Sequence, residues 1–199
     1  MSFNKRFFPV GGIVASSQAA VCNTDSVQAF GADSAFSSNI VLYQFDGNAN
    51  DTTGDFNGTA SNITYATGQF GNAAVFNGSS SSILLPNNIL SSDFSISTWF
   101  NLDDTDGVQT VLELDYENRV IFRAVSTSSN FAYIGNSGYF NHGISFSAGQ
   151  WYHLVITFSA GNPFKIYVNG VLSYTGGNTN VLSNNNENLI GAGNSNGAN

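Results

Sequence analysis

From Ile40 onward the apolar residues come in short runs, punctuated by Gly, Asn, Asp and Pro. Within a run they tend to alternate, which is the period of a pleated strand and not of a helix. Runs at 40–45, 73–76, 82–85, 94–100, 108–114, 119–125, 151–158, 164–168 and 171–174 predict strands. Along 94–100, period two puts Phe94, Ile96 and Phe100 on one face and Trp99 on the other. The runs 108–114 and 119–125 read as a hairpin, with Tyr116, Glu117 and Asn118 in or near its bend. Asn169-Gly170 between two apolar runs is the strongest turn signal in the chain, because both residues tolerate the positive φ of a type I′ turn. No stretch shows a sustained helical period. Short strands at this spacing imply an all-β fold, a sandwich of two antiparallel sheets that bury alternate side chains against each other.

The pattern is different before Asn39. Ser, Ala and Gly dominate 11–38, with Val21, Val27, Phe30 and Phe36 isolated among them. Residues 1–38 therefore read as an arm or linker, and the sandwich is expected over 39–199. Lys5 and Arg6 ahead of an apolar run, followed by Ser17-Gln18-Ala19-Ala20, give the outline of a signal peptide. Pro9, Gly11 and Gly12 weaken its helical centre. The segment is read instead as an extended arm that buries Phe3, Phe7 and Phe8 in a partner.

Composition narrows the function classes. The chain has 199 residues, enough for one ordinary domain and a short appendage. Asn, Ser, Gly and Thr supply 87 of them, against 5 basic and 13 acidic residues. So few cations argue against a nucleic-acid partner, which needs clustered Lys and Arg on its phosphates. With 42% hydrophobic residues, the chain is not a disordered acidic tail. Cys22 is the sole cysteine, so no intrachain disulfide forms. No apolar run approaches the roughly 18 residues of a membrane span, and no membrane partner is expected.

A series of motifs carries a family resemblance. In order they are Tyr43-x-Phe45-Asp46-Gly47-Asn48-Ala49-x-Asp51, Gly68-x-Phe70-Gly71-x-Ala73-x-x-Phe76-Asn77-Gly78, Phe94-x-Ile96-x-x-Trp99, Trp151-x-His153-Leu154-x-x-Thr157-Phe158, Ile166-Tyr167-Val168-Asn169-Gly170 and Leu189-Ile190-Gly191. The series resembles the laminin-G-like branch of the concanavalin A-like lectin/glucanase fold over residues 40–191. The resemblance implies a jelly-roll of two antiparallel sheets that serves as a binding or adhesion module, often for glycans, sometimes with calcium at the rim. In that family a further strand follows the position of Ile190-Gly191, central to one sheet and beside the first strand. No such strand is visible between there and Asn199. The expectation is a longer protein, or completion of the sheet by another chain or by the N-terminal arm.

Three sets of side chains are candidates for chemistry. Asp46, Asn48 and Asp51 offer oxygen ligands at a short spacing that suits Ca²⁺. Turns favour the same residue types, and calcium is the one cofactor the resemblance brings to this loop. Asp103-Asp104-x-Asp106 reads as a solvated turn. Tyr133, Tyr139, Asn141 and His142 lie in a Gly/Asn/Ser-rich stretch. Aromatic rings beside amides can stack on and hydrogen-bond a sugar ring, so they are the candidate glycan ligands; packing under a loop would use the same residues.

Glu113-Leu114-Asp115-Tyr116-Glu117 resembles the catalytic signature of family-16 glycoside hydrolases, which share the jelly-roll. The resemblance would make Glu113 the nucleophile, Asp115 its assistant and Glu117 the acid/base. A retaining pair needs carboxyls roughly 5–5.5 Å apart. Positions i and i+4 of a straight strand are about 13 Å apart, and a bend at Glu117 aims that carboxylate away. No catalytic residue is expected.

The leading expectation is a non-enzymatic display protein. Low Lys, abundant Asn, Ser, Gly and Thr, and an arm beginning Asn4-Lys5-Arg6-Phe7-Phe8 resemble bacteriophage tail or head fibres. That resemblance implies a virion protein docked through its arm on other virion subunits, threefold as a homo-oligomer, displaying a glycan-binding or adhesion sandwich. The alternative is a secreted or cell-surface bacterial carbohydrate-binding or adhesion module. A family-16-like glycanase is the third reading.

Overall fold

The computed structural model describes residues 6–8, 11–14, 41–87, 89, 93–114, 120–125, 131–134, 139–178 and 187–192. They form strands and loops, with no helix among the described residues. In chain order the strands are β1 (Arg6–Phe8), β2 (Gly11–Val14), β3 (Val41–Tyr43), β4 (Thr59–Ser61), β5 (Thr64–Thr67), β6 (Asn72–Phe76), β7 (Ser82–Leu85), β8 (Asp93–Leu102), β9 (Val108–Leu114), β10 (Val120–Val125), β11 (Phe131–Ile134), β12 (Tyr139–Asn141), β13 (Trp151–Ser159), β14 (Pro163–Val168), β15 (Val171–Asn178) and β16 (Asn188–Ile190). One sheet runs β12-β11-β10-β9-β16-β7-β4. The nine-stranded sheet runs β15-β14-β13-β8-β1-β6-β5, with β2 pairing both β8 and β3. Adjacent strands pair antiparallel in both sheets. This is the expected all-β sandwich.

The core sits between the sheets and follows period two. On β8 the buried apolar positions are Phe94, Ile96, Phe100 and Leu102; on β13 they are Leu154, Ile156 and Phe158. They meet Leu112, Leu114, Val120 and Phe122 of the other sheet in one cluster. Aromatic rings fill the space between: Phe94 stacks on Phe158 at 4.8 Å, and Phe140 on Tyr174 at 4.7 Å. Such pairs add about 1 kcal/mol each beyond the area they bury. The Asn169-Gly170 turn has φ of 50° and 78°, as a type I′ turn requires. Asn169 also clamps β13, since its Oδ1 accepts from His153 N at 2.9 Å and its N donates to His153 O at 2.8 Å.

The N-terminal segment is built into the sheet. Phe7 pairs with Asn101 of β8 on one side and with Val75 of β6 on the other. Gly12 pairs with Ser97 of β8 and with Leu42 of β3. β1 and β2 thus follow one another along β8, and together they separate it from β3 and β6. Beside the first strand of the resembling motif series, this is the slot that the resemblance gives to the family's closing strand. Of the completions expected from the sequence, the structure shows the N-terminal one. Phe7 and Phe8 stand in this sheet and not in a separate arm ahead of it; Phe3 lies outside the described residues.

Candidate functional site

A cavity of about 30 Å³ lies between the sheets, lined by Tyr43, Phe45, Ile96, Val111, Leu114 and Ile190 among others. It is apolar and has room for about one water. A sugar ring does not fit in it, so the surfaces of the described residues are the places to look for a site.

The first surface is the rim loop after β3. Asp51 is buried, and its carboxylate is enclosed by the chain's own donors. It accepts from Leu42 N at 2.8 Å, Thr53 N at 3.1 Å, Phe56 N at 3.2 Å and the Thr53 hydroxyl. Burial alone would raise its pKa; these hydrogen bonds outweigh that and hold it below the ordinary carboxylate value. The same network raises the Tyr43 phenol, first through burial and then through the Asp51 charge; that phenol donates to Phe56 O at 2.5 Å. Asp46 turns elsewhere and accepts from Asn72 N at 2.8 Å, while Asn48 accepts from Asn50 N at 2.8 Å. Each of the three residues expected to hold calcium is engaged by a backbone N–H. Among the described residues, no group of three or more His, Cys, Asp or Glu could hold a metal ion.

The second surface is the outer face of the nine-stranded sheet. Trp99 stacks on His153 at 5.0 Å, and Phe70 meets Trp99 edge-on at 5.4 Å. Ser97 Oγ and His153 Nε2 are 2.8 Å apart. Burial lowers the pKa of this histidine, so it stays neutral at neutral pH. Phe70, Trp99 and His153 pack on one another there.

The third surface is the outer face of the seven-stranded sheet. Its register brings distant candidates into line. Tyr133 pairs with Tyr139, Ile121 with Tyr133, and Glu113 with both Ile121 and Leu189. Leu112, Leu114, Phe122 and Phe140 turn to the core side, so alternation assigns positions 139, 133, 121, 113 and 189 to one row on the opposite face. Arg123 pairs with Thr110 in the next row, where Phe131 pairs with Asn141. Asn141 is exposed, and its Oδ1 accepts from Gly143 N at 2.8 Å. Glu113 and Thr110 are buried. One face therefore collects two tyrosine positions, an exposed amide and a half-buried arginine, beside a carboxylate and a hydroxyl that are buried. A sequence reading that treats each strand alone has no access to this convergence; the placement of Glu113 and Arg123 beside the tyrosine positions comes from register. Asp115 and Glu117 lie outside the described residues.

His142 does not belong to that face. Its ring is 4% exposed, stacks on Phe122 at 4.8 Å and meets Phe146 edge-on. Nε2 donates to Arg123 O at 3.2 Å, and Nδ1 accepts from Ile144 N at 3.2 Å. Burial pushes its pKa down to about 4, against the opposing pull of the Arg123 carbonyl. The sequence pairs it with Asn141 as a glycan ligand, but neighbours on a strand point to opposite faces. The ring on the core side is a packing residue.

Residues 77–199 match the Laminin_G_3 family, described as the concanavalin A-like lectin/glucanases superfamily. The chain belongs to this superfamily. The superfamily assignment agrees with the sandwich and with the motif series that resembles it. Among solved structures, the chain is similar to domain 4 of AbnA, a GH43 extracellular arabinanase from Geobacillus stearothermophilus, in complex with arabinotriose. The identity is 26% with a TM-score of 0.64, covering 76% of this chain and 82% of that one. It is also similar to the carbohydrate-binding module CBM66 from Bacillus subtilis, at 19% identity and a TM-score of 0.42, covering 66% and 85%. No curated protein matches the chain.

Proposed function

We propose that this concanavalin A-like domain is a carbohydrate-binding module and that the outer face of its seven-stranded sheet receives the glycan. The observation that carries the reading is the similarity to a domain whose structure is in complex with arabinotriose, over most of both chains. The face supplies the chemistry for it. Tyrosine rings would offer flat apolar surface to the C–H face of a sugar, while Asn141 and Arg123 would offer hydrogen-bonding groups to its hydroxyls. Tyr133, Tyr139 and Asn141 are the residues that would carry contact.

The domain holds and does not cleave. Glu113, the first carboxylate of the glycanase-like string, is fully buried, which leaves it no approach to an anomeric carbon. A protein secreted or displayed at a cell surface is the setting that suits such a module. The comparisons support carbohydrate binding better than the virion-fibre role suggested by the composition and the N-terminal arm.

The test is binding of the full chain to arabinotriose and to a panel of neutral oligosaccharides, read by calorimetry, with reducing-sugar release followed in parallel. Saturable binding without release supports the module. Absence of binding across the panel rejects it, and release of reducing ends makes the domain an enzyme.

A further inference from the structure

The slot between β8 and its neighbours β3 and β6 is filled by residues 6–14, and the way they enter it is unusual. β2 and β3 are adjacent and antiparallel, with Ile13 opposite Val41. A hairpin would join such strands with two to five residues. Here 26 residues separate Val14 from Val41. Fully extended, that length spans roughly 85 Å, whereas a domain of this size has a radius of gyration of about 16 Å. The connection is far longer than its two ends require.

The slot is also central. β3 pairs with β2, and β1 lies between β8 and β6. Both β6 and β3 are joined to β8 only through these two short N-terminal strands. An empty slot would expose ladder donors and acceptors on both sides, an arrangement that recruits a strand.

We propose that this slot is a strand-exchange site, and that its partner is a second copy of this chain, which donates its own residues 6–14 in return. The complementarity needs no further design, because the donor is the sequence the slot already holds, in the same register. Contacts are identical within and between chains. The balance is set by protein concentration against the effective concentration of a long tether, which is in the millimolar range and falls with tether length. The product is a homo-oligomer closed by reciprocal exchange. This inference stands independently of glycan binding.

Disulfide trapping tests it in the full chain, with Cys22→Ser removing the native thiol. Phe7→Cys and Asn101→Cys sit opposite each other, as do Gly12→Cys and Ser97→Cys. For each pair, two chains carrying one cysteine each are mixed, refolded together over a range of protein concentrations, and oxidised. Exchange predicts a covalent heterodimer of twice the chain mass, in a yield that rises with concentration. Each double variant provides the control for strand placement. Intrachain closure in the double variants with no heterodimer from either mixture, at any concentration, overturns the proposal. Absence of a disulfide in every arm overturns it too, since the strand would then not occupy the slot.

Discussion

His142 Nδ1 accepts a hydrogen bond from the backbone N–H of Ile144 at 3.2 Å. A proton on that nitrogen would face another donor. Burial, outweighing the hydrogen bond to the Arg123 carbonyl, keeps the ring neutral down to about pH 4. The unfolded chain takes up the proton near pH 6.5, so the folded value lies below the unfolded one. Stability from this group is complete above about pH 6.5 and declines as pH falls toward 4. The loss is on the order of 3 kcal/mol by pH 4. Burial lowers His153 as well, and its contribution declines in the same direction. Urea unfolding between pH 7 and 4 should show this slope, and His142→Phe should flatten it. An unchanged slope in the variant would place the ring in water.

Asp51 carries a different expectation. Its carboxylate satisfies four donors in the loop after β3. Asp51→Ala strands the half-buried N–H groups of Leu42 and Phe56 and should cost about 2 kcal/mol. Because its folded pKa lies below the ordinary value, its contribution is present above about pH 4 and lost below. The network also predicts equal melting temperatures in calcium and in EDTA. A rise of several degrees with calcium would instead seat an ion among Asp46, Asn48 and Asp51.

Gly191 makes the sharpest packing prediction. Its φ is +75°, and a Cβ there would come within 2.2 Å of the Phe76 ring. Gly191→Ala combines a disfavoured backbone with overpacking of a buried phenylalanine and should destabilise by about 2–5 kcal/mol. Thermal unfolding of this variant checks it; a loss under 1 kcal/mol would mean that Phe76 has room to move.

Trp99 separates stability from binding. Its ring is held between His153 and Phe70 on the nine-stranded sheet. Trp99→Ala should lower stability by about 2 kcal/mol and leave glycan affinity unchanged within twofold. A tenfold loss of affinity would move the binding face to this sheet.

Much of the sandwich is legible along the chain, and what escapes has physical causes. Expected strands such as 82–85 and 108–114 coincide with β7 and β9, because alternation and flanking turn residues agree there. Trp99 falls on the face opposite Phe100, as period two requires. β4 and β5 escape because Thr59, Ala60 and Ser61 are exposed on both faces and leave no alternation to read. β1 and β2 escape because Pro9, Gly11 and Gly12 look like breakers; long-range pairing with β8 overrides local preference. The binding face was half legible. Tyr133, Tyr139 and Asn141 stand out by composition, but His142 differs from Asn141 only in strand parity, and Arg123 joins them only through register.

The most direct test of the account is calorimetric titration of arabinotriose, and of the neutral oligosaccharide panel, into the wild-type chain and into Tyr133→Ala. Saturable binding by the wild type, weakened at least tenfold in Tyr133→Ala at unchanged melting temperature, is the predicted result. Equal affinity in the two proteins would contradict the placement of the site, and no heat with any glycan would contradict the function.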